Sequence, residues 1–186
     1  KVINVQFVGR LIKKSVKDTQ VNKKVMNKIK LKKFFLNFVI LITIFLIDRI
    51  SKFYILKLAE FENSVDIYIT PYLNLYLIWN KGIAFGLLSV NENVIYNIIT
   101  IIIGLIISII LFIMLKSDNI QRYFLILVAG GSLGNFYDRI HYSAVPDFID
   151  FHVGNFHWFV FNVADIFITV GVICLICVEI FYNKKN

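Results

Sequence analysis

The 186-residue chain contains no H-E-x-x-H, no G-x-S-x-G and no P-loop pattern, so zincin, serine-hydrolase and nucleotide-phosphate chemistry have no foothold in it. Cysteine is scarce as well. Its two examples, Cys174 and Cys177, are spaced C-x-x-C but lie in the apolar run ICLICV. A thiolate there would be poorly solvated and would find no other ligand nearby, so both read as small hydrophobes, not as a redox or metal pair. Acidic residues are few, 12 against 20 Lys and Arg. Within residues 1–33 the imbalance is extreme, with eleven basic residues and one acid, Asp18. Basic charge gathered at one end reads as a cytoplasmic flank and not as a nucleic-acid surface. Three histidines, His141, His152 and His157, fall in one region with Asp147 and Asp150, but their spacings match no ligand pattern. No metal and no cofactor are expected.

What the chain has in excess is apolar surface. Hydrophobic residues make up 58% of it and the mean hydropathy is +0.73, more than a water-soluble core requires. About 20 apolar residues cross a bilayer, and four segments reach that length: about 34–55, 94–115, 122–140 and 159–182. The basic N-terminus, the short connection KSDNIQR and the tail with Lys184 and Lys185 fall on one side of these spans. Residues 56–93 carry two lysines and four acids, and residues 141–158 carry no Lys or Arg. Lys and Arg in short loops favour the cytoplasm, so both termini are expected inside and the two larger loops outside. In the first of those loops VDIYIT and YLNLYLIW have strand character, with a turn at Thr70-Pro71. The expected fold is an all-α polytopic membrane protein of four transmembrane helices, with a small extracytoplasmic β-sheet between spans one and two. The expected organisation is a basic cytoplasmic extension (1–33), a four-span domain (34–182) and a cytoplasmic tail (183–186). The extension lacks a cleavage site after the first apolar run, and MNKIKLKKFF suggests a start at Met26, with residues 1–25 dispensable.

The polar residues that intrude on the apolar segments converge on the outer face. Asp48 and Lys52 stand near the end of the first span, Asn135, Asp138 and Arg139 at the end of the third, and Asn162 and Asp165 at the start of the fourth. Asp147 and Asp150 lie in the loop between the last two. Any one of these side chains could be a cap or a structural ion pair. Ionisable groups at membrane depth are costly, however, and several brought to one level mark a functional site. Asn162 and Asp165 are i, i+3, as are Asn135 and Asp138, so each pair shares a helix face. Gly130, Gly131 and Gly134 form a smooth strip before Asn135, which lets neighbouring backbones approach. Two carboxylates in contact share one proton, and the pair can then act as general base and general acid. Asp147 and Asp165 are the natural pair, with Asp138 and Asp150 as rival partners.

At these residues the chain resembles the lipoprotein signal peptidases, the bacterial signal peptidase II family. The matching blocks are D-R-I-S-K (48–52), N-K-G-I-A-F (80–85), G-G-S-L-G-N-F-Y-D-R (130–139), V-P-D-F (145–148) and F-N-V-A-D (161–165), in the family order across about 34–182. The resemblance implies an aspartic endopeptidase of the inner membrane, working without a cofactor and facing outward. It would remove signal peptides from prolipoproteins by cutting before the diacylglyceryl-modified cysteine. By motif, Asp147 and Asp165 become the catalytic dyad. Asp48, Lys52, Asn80, Gly82, Gly131, Asn135, Asp138, Arg139 and Asn162 become supporting or substrate-binding residues. Its partners would be lipidated prolipoproteins and membrane lipids, with the chain a monomer and no nucleic acid involved. Two departures stand out: Arg49 where the family often has Gln, and Ile166 where it often has Ser. Neither removes a proton-transfer group, so altered packing is expected, not lost activity. A transporter would need internal repeats and polar groups near the midplane, and neither is present. A catalytically silent assembly factor would not need an intact pair of aspartates.

Overall fold

A computed structural model describes residues 5–62, 64–82, 93–117, 119–154 and 156–182. The expected tail 183–186 and the Ile83–Phe85 part of the second motif block lie outside them. Four helices and four strands alternate in the order α1 (Val5–Glu62), β1 (Asp66–Thr70), β2 (Leu73–Asn80), α2 (Asn93–Lys116), α3 (Gln121–Tyr142), β3 (Val145–Val153), β4 (Phe156–Phe161) and α4 (Val163–Tyr182). The chain divides into two units, Lys1–Val39 and Ile40–Asn186. In the first, α1 exposes its side chains from Val25 to Leu36. The helix packing, the sheet and the polar site described below lie in the second.

Three helical stretches are long and apolar enough to cross a membrane: Val25–Glu62, Val94–Lys116 and Val163–Phe181. Many of their large apolar side chains, such as Ile101, Leu105 and Ile109 of α2, stay exposed. Such faces suit lipid as solvent, since water-soluble chains rarely leave many large apolar side chains exposed together. The segment expected at 122–140 is α3. It is helical as anticipated but is diluted by Gly130, Gly131, Ser132, Gly134, Asn135, Asp138 and Arg139, which turn it from a lipid-facing helix into the hub of the bundle. Ile126 and Ala129 of α3 are wholly buried and pack with Leu41 and Ile44 of α1 and Met114 of α2.

Glycine sets the closeness of that packing. A Cβ on Gly131 would stand 2.5 Å from the Ala164 carbonyl oxygen of α4, and one on Gly130 would stand 2.9 Å from the Ile44 side chain of α1. A Cβ on Gly134 would meet the Asp48 carboxylate. Three small residues along one helix therefore bring α1 and α4 into backbone-level contact with α3.

The sheet is larger than expected. The hairpin anticipated between the first two spans forms as β1–β2, but residues 141–158, read as a loop, contribute a second hairpin. All four strands join one antiparallel sheet in the order β1-β2-β3-β4. β3 docks on β2 with Asn74 opposite Asp150, Leu75 opposite Ile149 and Asn80 opposite Val145. VPDFIDFHV and FHWFVF are rich in β-branched and aromatic residues, and pairing with β2 satisfies backbone groups that a loop would have left to water. In consequence α4 begins at Val163, after β4, and not at 159. Phe148 of β3 is buried with Ile55 of α1 and Val65, and Leu58, Leu75, Leu77 and Ile149 pack against that cluster.

Gly131→Ala forces α3 and α4 apart and is expected to cost about 1–3 kcal/mol, read as a lowered midpoint of thermal unfolding in detergent. An unchanged midpoint would mean that Gly131 does not set the spacing.

Candidate active site

The polar residues converge from five elements: Asp48, Arg49 and Lys52 from α1, Asn80 from β2, Asn135, Asp138 and Arg139 from α3, Asp147 from β3, and Asn162 and Asp165 at the start of α4. Asp48, Asp138 and Asn162 are 0% exposed, Lys52 and Asp147 1%, and Asp165 9%. So many buried polar groups survive only if they satisfy one another.

The centre is Asn162. It is the cap of α4: its Oδ1 accepts from Asp165 N at 3.1 Å, while Asp165 Oδ2 accepts from Asn162 N at 3.1 Å. This reciprocal arrangement is a capping box with Asn and Asp in place of Ser and Glu. The same Asn162 turns its Nδ2 towards Asp147 Oδ1 at 2.5 Å. One side chain thus holds both aspartates, one as a helix cap and one across to the sheet. The capping role is real, and it positions the carboxylate as well.

The remaining carboxylate oxygens take amides. Asn80 Nδ2 donates to Asp147 Oδ2 at 2.9 Å, and Asn135 Nδ2 donates to Asp165 Oδ1 at 2.8 Å. Each carboxylate is therefore held by two neutral N–H donors, and among the described residues no cation bonds either one directly. Both aspartates, with Asn80, Asn135 and Arg139, line one cavity of about 240 Å³. Burial pushes the Asp147 carboxyl up to about 7 and the neighbouring Asp165 charge pushes the same way, while the Asn80 and Asn162 amides and the Lys52 charge pull against them. Such a group keeps its proton below about pH 7 and releases it above.

The cations sit one layer back. Lys52 Nζ donates to Asp48 Oδ2 at 3.1 Å, to Asp138 Oδ2 at 2.7 Å and to Asn135 Oδ1 at 2.7 Å. Because ammonium can only donate, it fixes which end of Asn135 is oxygen, and so aims the amide nitrogen at Asp165. Arg49 closes the cluster, donating to Asp138 Oδ1 at 2.5 Å and to Asp48 Oδ2 at 2.6 Å. Two cations then balance two carboxylates. Asp48 Oδ1 accepts from Ala164 N at 3.1 Å, satisfying another free donor in the first turn of α4. In the sequence Arg49 stands out only as a departure from a motif. The available signal was charge: Asp48 and Asp138 with Lys52 alone would leave one negative charge buried.

The other expected residues also find places. Asn80 Oδ1 accepts from Gly82 N at 2.8 Å, and Gly82 O accepts from Arg139 Nη2 at 2.5 Å, so Asn80, Gly82 and Arg139 form one edge of the site. Gly131 touches no carboxylate and acts through the α3–α4 approach. Of the rival partners, Asp138 is engaged by Arg49 and Lys52. Asp150 is bonded to His157 at 2.8 Å, away from the cavity.

The chain is similar to proteins of one family. A family model described as Signal peptidase (SPase) II matches residues 40–181. A lipoprotein signal peptidase of Pelagibacter ubique (strain HTCC1062) is 71% identical over 161 residues, covering 87% of this chain and 97% of the relative. One from Francisella tularensis subsp. novicida (strain U112) is 40% identical over 154 residues, covering 80% and 94%. A solved structure described as a bacterial membrane enzyme, determined by the in meso method at 2.3 Å resolution, superposes with a TM-score of 0.62 at 28% identity. That alignment covers 80% of this chain and 88% of the other.

An infrared band for a protonated carboxyl is expected at pH 6, fading through about pH 7, and absent from Asp147→Asn; a band that persists in that variant would place the proton elsewhere. Lys52→Met leaves the cluster with excess buried negative charge and is expected to cost about 3–5 kcal/mol. A loss below about 1 kcal/mol in thermal unfolding would show that Lys52 is not needed to balance Asp48 and Asp138.

Proposed function

The chain belongs to the signal peptidase II family, and on that premise we propose that it removes signal peptides from prolipoproteins, cutting before the diacylglyceryl-modified cysteine with Asp147 and Asp165 as catalytic pair. It is an aspartic peptidase embedded in the membrane. The observation that carries the proposal is the pair itself: two buried carboxylates from separate elements, opening on one cavity and held, among the described residues, by amides.

Of the two, the ionised carboxylate takes a proton from water, whose oxygen attacks the scissile carbonyl carbon. The protonated partner donates to the carbonyl oxygen, giving a tetrahedral diol. On collapse the C–N bond breaks, and a proton passes to the departing amine of the cysteine. Neutral amide donors suit this cycle, because a cation bonded directly to either carboxylate would hold it ionised and stop it accepting a proton. Asn135 and Asn162 orient the Asp165 carboxylate, Asn80 and Asn162 that of Asp147, and Lys52, Asp48, Asp138 and Arg139 hold those amides in place. Arg49, in the same cluster, preserves its charge balance, so the departure from the family's usual Gln is compatible with activity.

The substrate's lipid needs an apolar surface beside the dyad. A groove of about 300 Å³, lined by Phe151, Trp158, Phe161, Ile166 and Val170, reaches Asp165 and supports that reading. Ile166 extends this groove. The proposal further holds that α3 completes a set of four spans, with both termini cytoplasmic and the sheet on the outer face of the inner membrane. The basic residues of 1–33, Lys116 and Arg122, and Lys184 and Lys185 favour that orientation. The four-span part acts as a monomer, with residues 1–33 as a basic extension.

Asp147→Asn and Asp165→Asn are each expected to slow processing of a lipidated prolipoprotein by at least about 100-fold, followed by the mobility shift of the substrate in proteoliposomes. Wild-type processing by either variant would sink the dyad. Failure of the wild type on lipidated substrate would sink the reaction.

A further inference from the structure

We propose that Asp150, His152 and His157 form a zinc-binding site on the sheet, separate from the catalytic pair. Sequence spacing offered no ligand pattern here; the strand register supplies one. Asp150 and His152 are two residues apart on β3 and point to the same face. His157 of β4 pairs across the ladder with His152. The imidazoles stack at 5.0 Å between ring centres, and one ligand atom from each of the three side chains lies within 4.8 Å of the others. Zinc holds nitrogen and oxygen ligands at about 2.0–2.2 Å, so a tetrahedral set stands about 3.3–3.5 Å apart. Small side-chain rotations close that difference.

The donor set also has capacity to spare. Asp150 is 3% exposed and uses Oδ2 towards His157, yet its Oδ1 has no hydrogen-bond partner among the described residues. His152 is 8% exposed, and its Nδ1, 3.7 Å from Asp150 Oδ2, has none either. Leaving such atoms unpaired is unfavourable. With His157 beside them, they complete the two imidazoles and one carboxylate that suit a borderline divalent metal. Beside them lies a cavity of about 310 Å³ lined by Asp66, Asn74, Tyr76, Asp150, His157 and Val160. Its charged lining is acidic, and Asn74 Oδ1, a further buried acceptor without a partner among the described residues, faces Asp150 across the β2–β3 ladder. A cation is the ligand class that satisfies all of these groups together. The bound zinc ties β4 to β3, the strand that carries Asp147, and takes no part in bond cleavage.

The test uses the full chain in detergent, purified without a histidine tag, stripped with chelator and titrated with zinc chloride by calorimetry. One zinc per chain is expected, with a raised midpoint of thermal unfolding. His157→Ala, at a largely exposed position, is expected to weaken binding at least tenfold and abolish the rise; His152→Ala should do the same, and His141→Ala should change neither. Cobalt in place of zinc should give a visible d–d spectrum that His157→Ala removes. Absence of saturable binding in the wild type, or unchanged binding in His157→Ala, overturns the proposal. Equal competition by magnesium also overturns it, since magnesium would report carboxylates without imidazole. None of these readings depends on peptidase activity.

Discussion

Lys52 is 1% exposed and carries a full charge among helices whose outer faces suit lipid. An ammonium without water needs acceptors on every side, and the positions of two other segments follow from that need. Asp48 lies one turn away on the same helix, while Asp138 and Asn135 come from α3. Asp48 Oδ1, 3.0 Å from the same ammonium, also accepts from Ala164 N and so helps fix where α4 begins. Asn135, with its oxygen committed to Lys52, has its nitrogen left over for Asp165. The placement of one carboxylate of the candidate pair can thus be traced back through hydrogen bonds to the solvation of a single lysine.

That separation of charge from carboxylate is chemically useful. Arg49 and Lys52 are spent on Asp48 and Asp138, so their field reaches Asp147 and Asp165 only at a distance. The pair meets amides instead, which bond a carboxylate without demanding that it be ionised. Burial and mutual repulsion then have room to raise Asp147 into the range where a proton can be both held and given up. Had either lysine or arginine bonded the pair directly, the same burial would have produced a stable ion pair and no acid–base chemistry.

Much of this could be read from residue order. Long apolar runs show as helices because twenty residues of one character are a local signal, and the aspartates and asparagines at their outer ends stand out for the same reason. The convergence of Asp48, Asn135, Asn162 and Asp165 followed from those ends meeting at one level. What escaped was non-local. β3 reaches β2 only after two intervening helices, so nothing near residues 145–161 announces the strand that will cover them. Once β3 is known as a strand, its period of two separates Asp147 from Asp150, three residues on and facing the other way; read as a loop, the segment left both open as partners. Arg49 escaped because its partner Asp138 is supplied by another helix. Even the helix boundaries moved for tertiary reasons: α1 continues past Lys52 to Glu62 because Ile55 and Leu58 have the sheet to pack on.

Gly134 has a bearing on how a chain of this kind can diverge. Its missing methyl is the space that the Asp48 carboxylate occupies, and that carboxylate is committed to Lys52, Arg49 and the backbone of Ala164 at once. A mutation at 134 alone therefore displaces a group with three obligations, whereas a change at 48 alone leaves two cations to share Asp138. Neither step is open singly. Positions 48, 52, 134 and 138 therefore constrain one another, while position 49, where the family often has Gln, and the exposed isoleucines of α2 are freer to change one at a time.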